Sequence, residues 1–193
     1  YIMTTLEELG LLKMDFLGLR TLTVIQDTIN LVKQNRGIDV EFDKDMSDPK
    51  VYKLWQEGNT SGIFQFESQG MTNFMKELKP DCLEDLIAGV SLYRPGPMDQ
   101  IPRYIRGKQN PGHNEYTHPS LEPILNVTYG CMVYQEQVMQ IVRDLAGYSL
   151  GRADLVRRAM GKKKLDVMAK EREIFINGQV DENGNIIVPG CVR

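Results

Sequence analysis

The sequence predicts a mainly α-helical protein with a few short strands. Apolar residues recur every three or four positions in its long segments, as on the buried face of a helix. Glycine and proline separate these segments and predict turns. Residues 9–16, which alternate apolar and polar residues, have the pattern of a strand, and residues 180–188, which contain Asn183-Gly184, have that of a hairpin.

The composition is that of an ordinary globular protein. Of 193 residues, 41% are hydrophobic and 25% are charged. No stretch approaches the roughly 20 apolar residues of a membrane helix, and no signal peptide opens the sequence. The sequence starts without a methionine, so we expect it to be a piece of a longer protein.

The cysteines and histidines give no pattern of a metal site or a disulfide framework. Cys82, Cys131 and Cys191 are odd in number and far apart, which fits a reducing cytoplasm. His113 and His118 lie in a stretch rich in proline and glycine, where we expect surface loops.

Residues 9–16, LGLLKMDF, are predicted to form a strand. Leu12, Met14 and Phe16 share its apolar face, and Lys13 and Asp15 share its polar face, about 6–7 Å apart. The pair could be a metal-binding carboxylate beside a phosphate-binding ammonium. From spacing alone, a solvent-exposed ion pair is the commoner explanation.

Helices are predicted over most of the remaining sequence. The first spans about 19–36, with Gly37 as the residue that ends it. Residues 63–66 are predicted as a short strand or the start of a helix, and 106–119 as a loop. The other predicted helices cover about 49–55, 70–78, 83–92, 136–145, 152 to the lysines at 162–164 with a break near Gly161, and 165–175.

A run of cations between residues 157 and 164 could bind phosphate. It holds five basic residues and no acid, whereas residues 1–100 hold 16 acidic residues against 10 basic ones. On the predicted helix the cations face away from the apolar side, so a solvated surface remains an equal alternative. The run consists of Arg157, Arg158, Lys162, Lys163 and Lys164.

Two further motifs have both a functional and a structural explanation. In YGCMVYQEQ, Tyr134 could stack on a base and Glu136 could bind a positive partner. The structural alternative buries Tyr134 in the core and leaves Glu136 to interact with the helix dipole. In YRPGPM a rigid turn presents Arg94, which by itself is most simply a surface arginine. No phosphate-binding glycine loop or hydrolase triad is found.

Five sequence blocks together resemble the alpha subunits of bacterial DNA polymerase III, the C family of replicative polymerases. The blocks span about residues 9–175 and resemble the DnaE type most closely; the PolC type, with another domain order, stays an alternative. In order, they are LGLLKMDFLGLRTLTVI, GIFQFES, YRPGPM, YGCMVYQEQVMQI and GYSLGRADLVRRAMGKKK.

The resemblance implies a domain division and a reaction. Residues 1–40 would be the end of a palm with a polymerase-beta-like fold, and 41–193 part of the helical fingers. The parent protein would make DNA from dNTPs on a primer-template by two-metal transfer, with Mg²⁺ as cofactor. Its further partners would be the sliding clamp and the clamp loader.

The resemblance also implies roles for individual residues. Asp15 would be one of three palm aspartates that hold two Mg²⁺ ions, and Lys13 would reach the triphosphate. The residues expected to bind the nucleotide are Lys13, Tyr134, Glu136, Arg157, Arg158, Lys162 and Lys163.

One part of the family pattern is missing from the sequence. The paired aspartates of the family lie upstream, and Asp43 and Asp45, which have the same spacing, fall in a polar loop. We therefore expect this chain alone neither to extend primers nor to bind Mg²⁺ tightly. A helical nucleic-acid-binding module without chemistry remains the rival hypothesis.

Overall fold

The computed structural model describes residues 2–12, 14, 16–42 and 44–191. They are mainly helical, as the sequence predicts, and a two-stranded hairpin lies near the end of the chain. Two compact units divide the chain, residues 1–45 and 46–193. Within the described ranges, no helix combines the length and the apolar character that crossing a membrane requires.

The first unit contains α1 (Met3–Glu8) and α2 (Arg20–Arg36). Helix α2 matches the predicted helix at 19–36, and Gly37 ends it in the left-handed conformation, with φ of 65°. None of its residues is buried. Its apolar stripe is therefore not covered within this unit.

The strand predicted at 9–16 is wrong for the part of that segment that the structure describes. Residues 9–11 instead close the end of α1: the Leu9 amide bonds to Thr5, that of Gly10 to Glu7 and that of Leu11 to Leu6. No strand pairs with the described residues that follow. Without a partner strand, alternation alone cannot form a ladder, and Leu12 and Phe16 remain 84% and 88% exposed.

The second unit contains eight helices among its described residues. Apart from the end of α9 and two helices that were not predicted, α6 and α7, their ranges agree with the predicted helices to within about two residues. They are α3 (Pro49–Glu57), α4 (Gln69–Leu78), α5 (Leu83–Leu92), α6 (Ile101–Gln109), α7 (Glu122–Leu125), α8 (Gln135–Ala146), α9 (Leu150–Gly161) and α10 (Leu165–Asn177).

Helix α6 corrects the prediction of a loop from 106 onward. It begins beside Pro102, whose missing amide is tolerated in a first turn. Tyr104 anchors it: the side chain is 1% exposed, and its ring lies edge-on to Tyr129 at 5.0 Å. Because proline and glycine recur between residues 95 and 112, the sequence pattern predicted turns and a loop here and not a helix.

Residues 63–66 form turns and not the predicted strand or start of a helix. The Phe66 amide bonds back to the Ile63 carbonyl, and Gln65 has a positive φ of 68°. The turn buries Phe66 with its ring 5.7 Å from that of Trp55. Packing of these two rings outweighs any extended preference of the segment.

Two apolar clusters stabilise the second unit. The first contains side chains of helices α3, α4, α5 and α6 and is centred on Met75 and Leu92, neither of which is measurably exposed. The second joins α8 and α9 to the predicted hairpin, β1 (Gln179–Val180) and β2 (Ile186–Val188), around Ala146, Ala153 and Val188. The second cluster positions the functional motifs, because it fixes α9 against α8.

Candidate nucleotide-binding site

The turn before α8 is held by a buried glutamine. Gln137 is 5% exposed, and its Oε1 accepts hydrogen bonds from the backbone amides of Val133 (2.8 Å) and Tyr134 (2.9 Å). Its Nε2 donates to the Thr128 hydroxyl at 2.8 Å, and that hydroxyl donates to the Cys131 carbonyl at 2.6 Å. This network sets the direction in which the chain enters α8.

Tyr134 and Glu136 lie on either side of that entry. Tyr134 is the residue before α8; it is partly buried against the first apolar cluster, and this burial raises the pKa of its hydroxyl. Glu136 is exposed in the first turn of α8, where a carboxylate interacts favourably with the helix dipole. The partial burial agrees with the structural alternative for Tyr134 without excluding a contact to a base.

Helix α9 presents Arg157 to the start of α8. Ser149 caps α9 by accepting a hydrogen bond from the Arg152 amide at 3.3 Å. Ala153, Val156 and Ala159 are buried, which leaves Arg157 partly buried beside them. Its Nη1 donates to Oε1 of Gln135 at 2.7 Å. Two motifs that are 22 residues apart are thus in direct contact.

Asp154 links both arginines, and the sequence analysis missed it. Its Oδ1 accepts from Nε and Nη2 of Arg157 at 2.8 and 2.6 Å, and its Oδ2 lies 2.7 Å from Nε of Arg158. The hydrogen bonds from Arg157, with the charges of both arginines, lower the pKa of the Asp154 carboxyl. The sequence did contain a signal for these ion pairs, because Asp154 lies three residues before Arg157 and four before Arg158, and such spacings bring side chains together on a helix.

The two arginines differ in their exposure. The Arg157 side chain is 27% exposed and the Arg158 side chain is 63% exposed. Arg157 is therefore held by two partners, whereas most of the Arg158 side chain is exposed. A bidentate ligand would find one oriented and one adaptable guanidinium.

The lysine run lies beyond α9 and not on it. The helix ends at Gly161, at the predicted break, so it does not continue into the lysines as predicted. Lys163 has a positive φ of 51°, and Lys164 precedes α10. All three lysines are exposed, and no acidic side chain among the described residues pairs with them.

Three other arginines near these motifs each pair with a carboxylate of the second unit. Arg152 lies over the Tyr148 ring at 5.2 Å and pairs with Glu171 at 3.2 Å. Arg143 and Arg172 each pair with the acidic residue that follows them. Arg158 and the lysines after it therefore form a run of exposed positive charge at the end of α9.

Two of the predicted site residues, Lys13 and Asp15, lie outside the residues that the structure describes, as does Asp43. Arg94 lies in the exposed turn before the 3₁₀ segment at 97–100.

One group of side chains in the described part of the chain has the composition of a metal site. Asp81, Cys82 and Asp85 bring their ligand atoms within 4.8 Å of one another. The ammonium of Lys108 already binds Asp81 at 2.9 Å and the buried Asp85 at 2.6 Å. Burial opposes the charge on Lys108, but these hydrogen bonds raise its pKa above the ordinary value. An internal cation therefore holds the position that a metal ion would need.

Comparison with known proteins identifies the family of the chain. The family model described as the bacterial DNA polymerase III alpha subunit finger domain matches residues 21–183.

Curated relatives agree with this match. The chain is 53% identical to the DNA polymerase III subunit alpha of Thermus aquaticus, over 92% of this chain and 15% of the relative. It is 50% identical to that of Aquifex aeolicus (strain VF5), over 94% and 16%, and 49% identical to that of Staphylococcus aureus (strain COL), over 95% and 17%. The chain thus spans about one sixth of the length of these relatives, and it belongs to the bacterial DNA polymerase III alpha subunit finger-domain family.

Proposed function

We propose that this chain contributes the incoming-nucleotide surface of a replicative DNA polymerase. Residues 41–193 would form part of its fingers, and residues 1–40 the end of its palm. The observation that carries the proposal is the hydrogen bond from Arg157 to Gln135. This contact joins the YQEQ motif to the arginine pair, which supports a single surface made from both.

The charges suit a triphosphate. Arg157 retains N–H groups that Asp154 and Gln135 do not use, and most of the Arg158 side chain is exposed. Lys162 and Lys163 add two exposed point charges next to them. As pyrophosphate leaves, negative charge grows on its oxygens, and prearranged cations stabilise that charge most.

Tyr134 would pack against the base or sugar, and Glu136 would accept a hydrogen bond from the nucleotide or hold a neighbouring cation. The half-buried position of Tyr134 favours a rigid ring platform over a mobile one. Primer-template DNA, the sliding clamp and the clamp loader would be partners of the whole polymerase.

The described residues do not offer a magnesium site for this reaction. The carboxylates of Asp81 and Asp85 are bound by Lys108, and Asp15, the proposed ligand, lies outside the described ranges with Lys13. Asp15 as a ligand and Lys13 as a triphosphate contact stay proposals from the family resemblance.

The rival function is a nucleic-acid-binding module without chemistry. It would use the same arginines and lysines to contact DNA phosphates, and it would give Tyr134 and Glu136 no nucleotide to bind.

Two variants of the whole polymerase separate these functions. Arg157→Ala or Arg158→Ala should lower kcat/KM for dNTP by an amount on the order of 2–4 kcal/mol in transition-state stabilisation. Arg157→Lys should restore only part of this, because the planar fork is lost. The control is Arg143→Ala, which removes an arginine of α8 that pairs with Asp144.

The measurements are steady-state dNTP kinetics and the Kd for primer-template DNA on the same proteins. Weaker DNA binding with unchanged nucleotide kinetics in both alanine variants would support the binding module and remove the arginines from the nucleotide site.

A further inference from the structure

A polar pocket lies between α6 and the turn that follows it, away from the residues assigned above. Its volume is about 490 Å³, within the range of small-ligand sites, roughly 300–1,000 Å³. Arg103, Arg106, Asn110, His113 and Asn114 contribute to its wall. The sequence analysis treated this stretch as loop and assigned it no role.

The two arginines bring positive charge that the described residues leave largely uncompensated. Arg103 donates from Nη2 to a backbone oxygen, that of Glu115, at 2.6 Å. Arg106 is exposed, and neither arginine has a carboxylate within ion-pair distance among the described residues. The single acidic residue lining the pocket is Glu115, so the lining is net positive.

The pocket forms where the backbone of two turns comes close to α6 and to each other. A Cβ at Gly107 would lie 2.4 Å from Cβ of Tyr129, and one at Gly130, where φ is 78°, would lie 2.8 Å from the Glu115 oxygen. Glycine at both positions lets the 110–115 turn and the 129–130 turn approach α6. The edge-on contact of Tyr129 with Tyr104 fixes the floor against the first apolar cluster.

Asn114 adds an unsatisfied polar group to this wall. Its Oδ1 is buried and has no hydrogen-bond partner within the described residues. Such a group costs free energy unless a ligand or water satisfies it. Rotation of the amide by 180° would offer its NH₂ group at the same place, so Asn114 can serve as a donor beside the arginines.

We propose that this pocket binds a phosphate group, separately from the nucleotide surface on α8 and α9. Guanidinium groups bind phosphate oxygens with two parallel hydrogen bonds, and Arg103 and Arg106, three residues apart, lie on one side of α6. The phosphate could belong to a DNA strand or to a free anion such as pyrophosphate. The chemistry is shared, and the experiment distinguishes the two sources.

Arg106→Ala in the whole polymerase is the variant of choice, because Arg106 is exposed and its side chain holds no other element in place. Arg103 is less suitable, since it also anchors the 110–115 turn. The control is Arg36→Ala, which removes an equally exposed arginine from the end of α2. Thermal unfolding of both variants checks that neither change disturbs the fold.

Two titrations are then compared with the wild type. Fluorescence anisotropy with a labelled single-stranded oligonucleotide over a range of salt concentrations tests the DNA strand. Calorimetry with pyrophosphate alone tests the free anion. For a strand, Arg106→Ala should weaken binding about tenfold and reduce the salt slope by about 0.7.

For a free anion, Arg106→Ala should weaken pyrophosphate binding about tenfold and leave the oligonucleotide titration unchanged. Either result, absent in Arg36→Ala, supports the pocket. If Arg106→Ala matches Arg36→Ala in both titrations, the pocket does not bind phosphate and the proposal fails. The nucleotide kinetics of Arg157 do not enter these titrations, so the two proposals can fail independently.

Discussion

Asp154 determines the geometry of the arginine pair. An acid among cations offsets one positive charge and by itself opposes phosphate binding. Its two oxygens, however, bind Arg157 and Arg158 one turn further along α9 and so restrict the guanidinium of Arg157 to one direction. A prearranged cation loses less conformational entropy on binding than a free one, which favours this arrangement for a nucleotide site.

Lys108 is the residue whose loss should destabilise the fold most clearly. Lys108→Met leaves Asp85, which is 1% exposed, without its cation, and should lower the free energy of unfolding by about 3–5 kcal/mol. Lys53→Met is the control: it breaks an exposed pair with Glu57 and should cost at most about 0.5 kcal/mol. Urea denaturation of both variants measures the difference, and equal midpoints would contradict a structural role for the buried pair.

At the scale of elements, the segment between α7 and α8 has to be rigid if Tyr134 and Glu136 are to keep fixed positions at the start of α8. Gln137→Ala removes the acceptor of two backbone amides and the donor to Thr128. We expect a loss of about 2–4 kcal/mol in unfolding free energy, because these groups stay buried without partners. The control Gln69→Ala removes an exposed contact to Asn73.

Chemical denaturation of these two glutamine variants gives the comparison. A Gln137→Ala protein as stable as Gln69→Ala would mean that water or a rearranged turn replaces the network.

Sequence patterns predicted elements well where local signals and packing agree. Helix α8 has an apolar stripe at steps of three and four and a glycine at its end, and the structure confirms it. The predicted hairpin is also present: Asn183-Gly184 lie in the turn between its two strands, which pair antiparallel. The strand predicted at 9–16 was wrong for the described residues of that segment, because a strand depends on a partner strand and none pairs with them. Helix α6 was missed because burial of Tyr104 outweighs the surrounding breakers.

The residues of the candidate site remain a prediction from the family resemblance, and the contacts between them depend on packing. The family resemblance pointed to Tyr134, Glu136, Arg157 and Arg158. It did not reveal Gln135 as the contact between α8 and α9, since that contact depends on how the second apolar cluster packs the helices. The roles of Lys13 and Asp15 stay predictions.

At the scale of the whole molecule, the chain should bind Mg²⁺ weakly by itself. Two-metal sites need several carboxylates, and the clustered aspartates of the described residues are bound by Lys108. Calorimetric titration of the 193-residue chain with MgCl₂ should give no binding in the micromolar range. Two ions bound at that affinity would contradict this expectation.

The central claim is that Gln135 at the start of α8 and Arg157 of α9 act together on the incoming nucleotide. A double-mutant cycle in the whole polymerase tests it most directly, with Gln135→Ala, Arg157→Ala and both changes, read as kcat/KM for dNTP. We predict a coupling free energy of about 0.5–3 kcal/mol, with the Kd for primer-template DNA little changed. Additive effects on kcat/KM, or a coupling seen only in DNA binding, would contradict the claim.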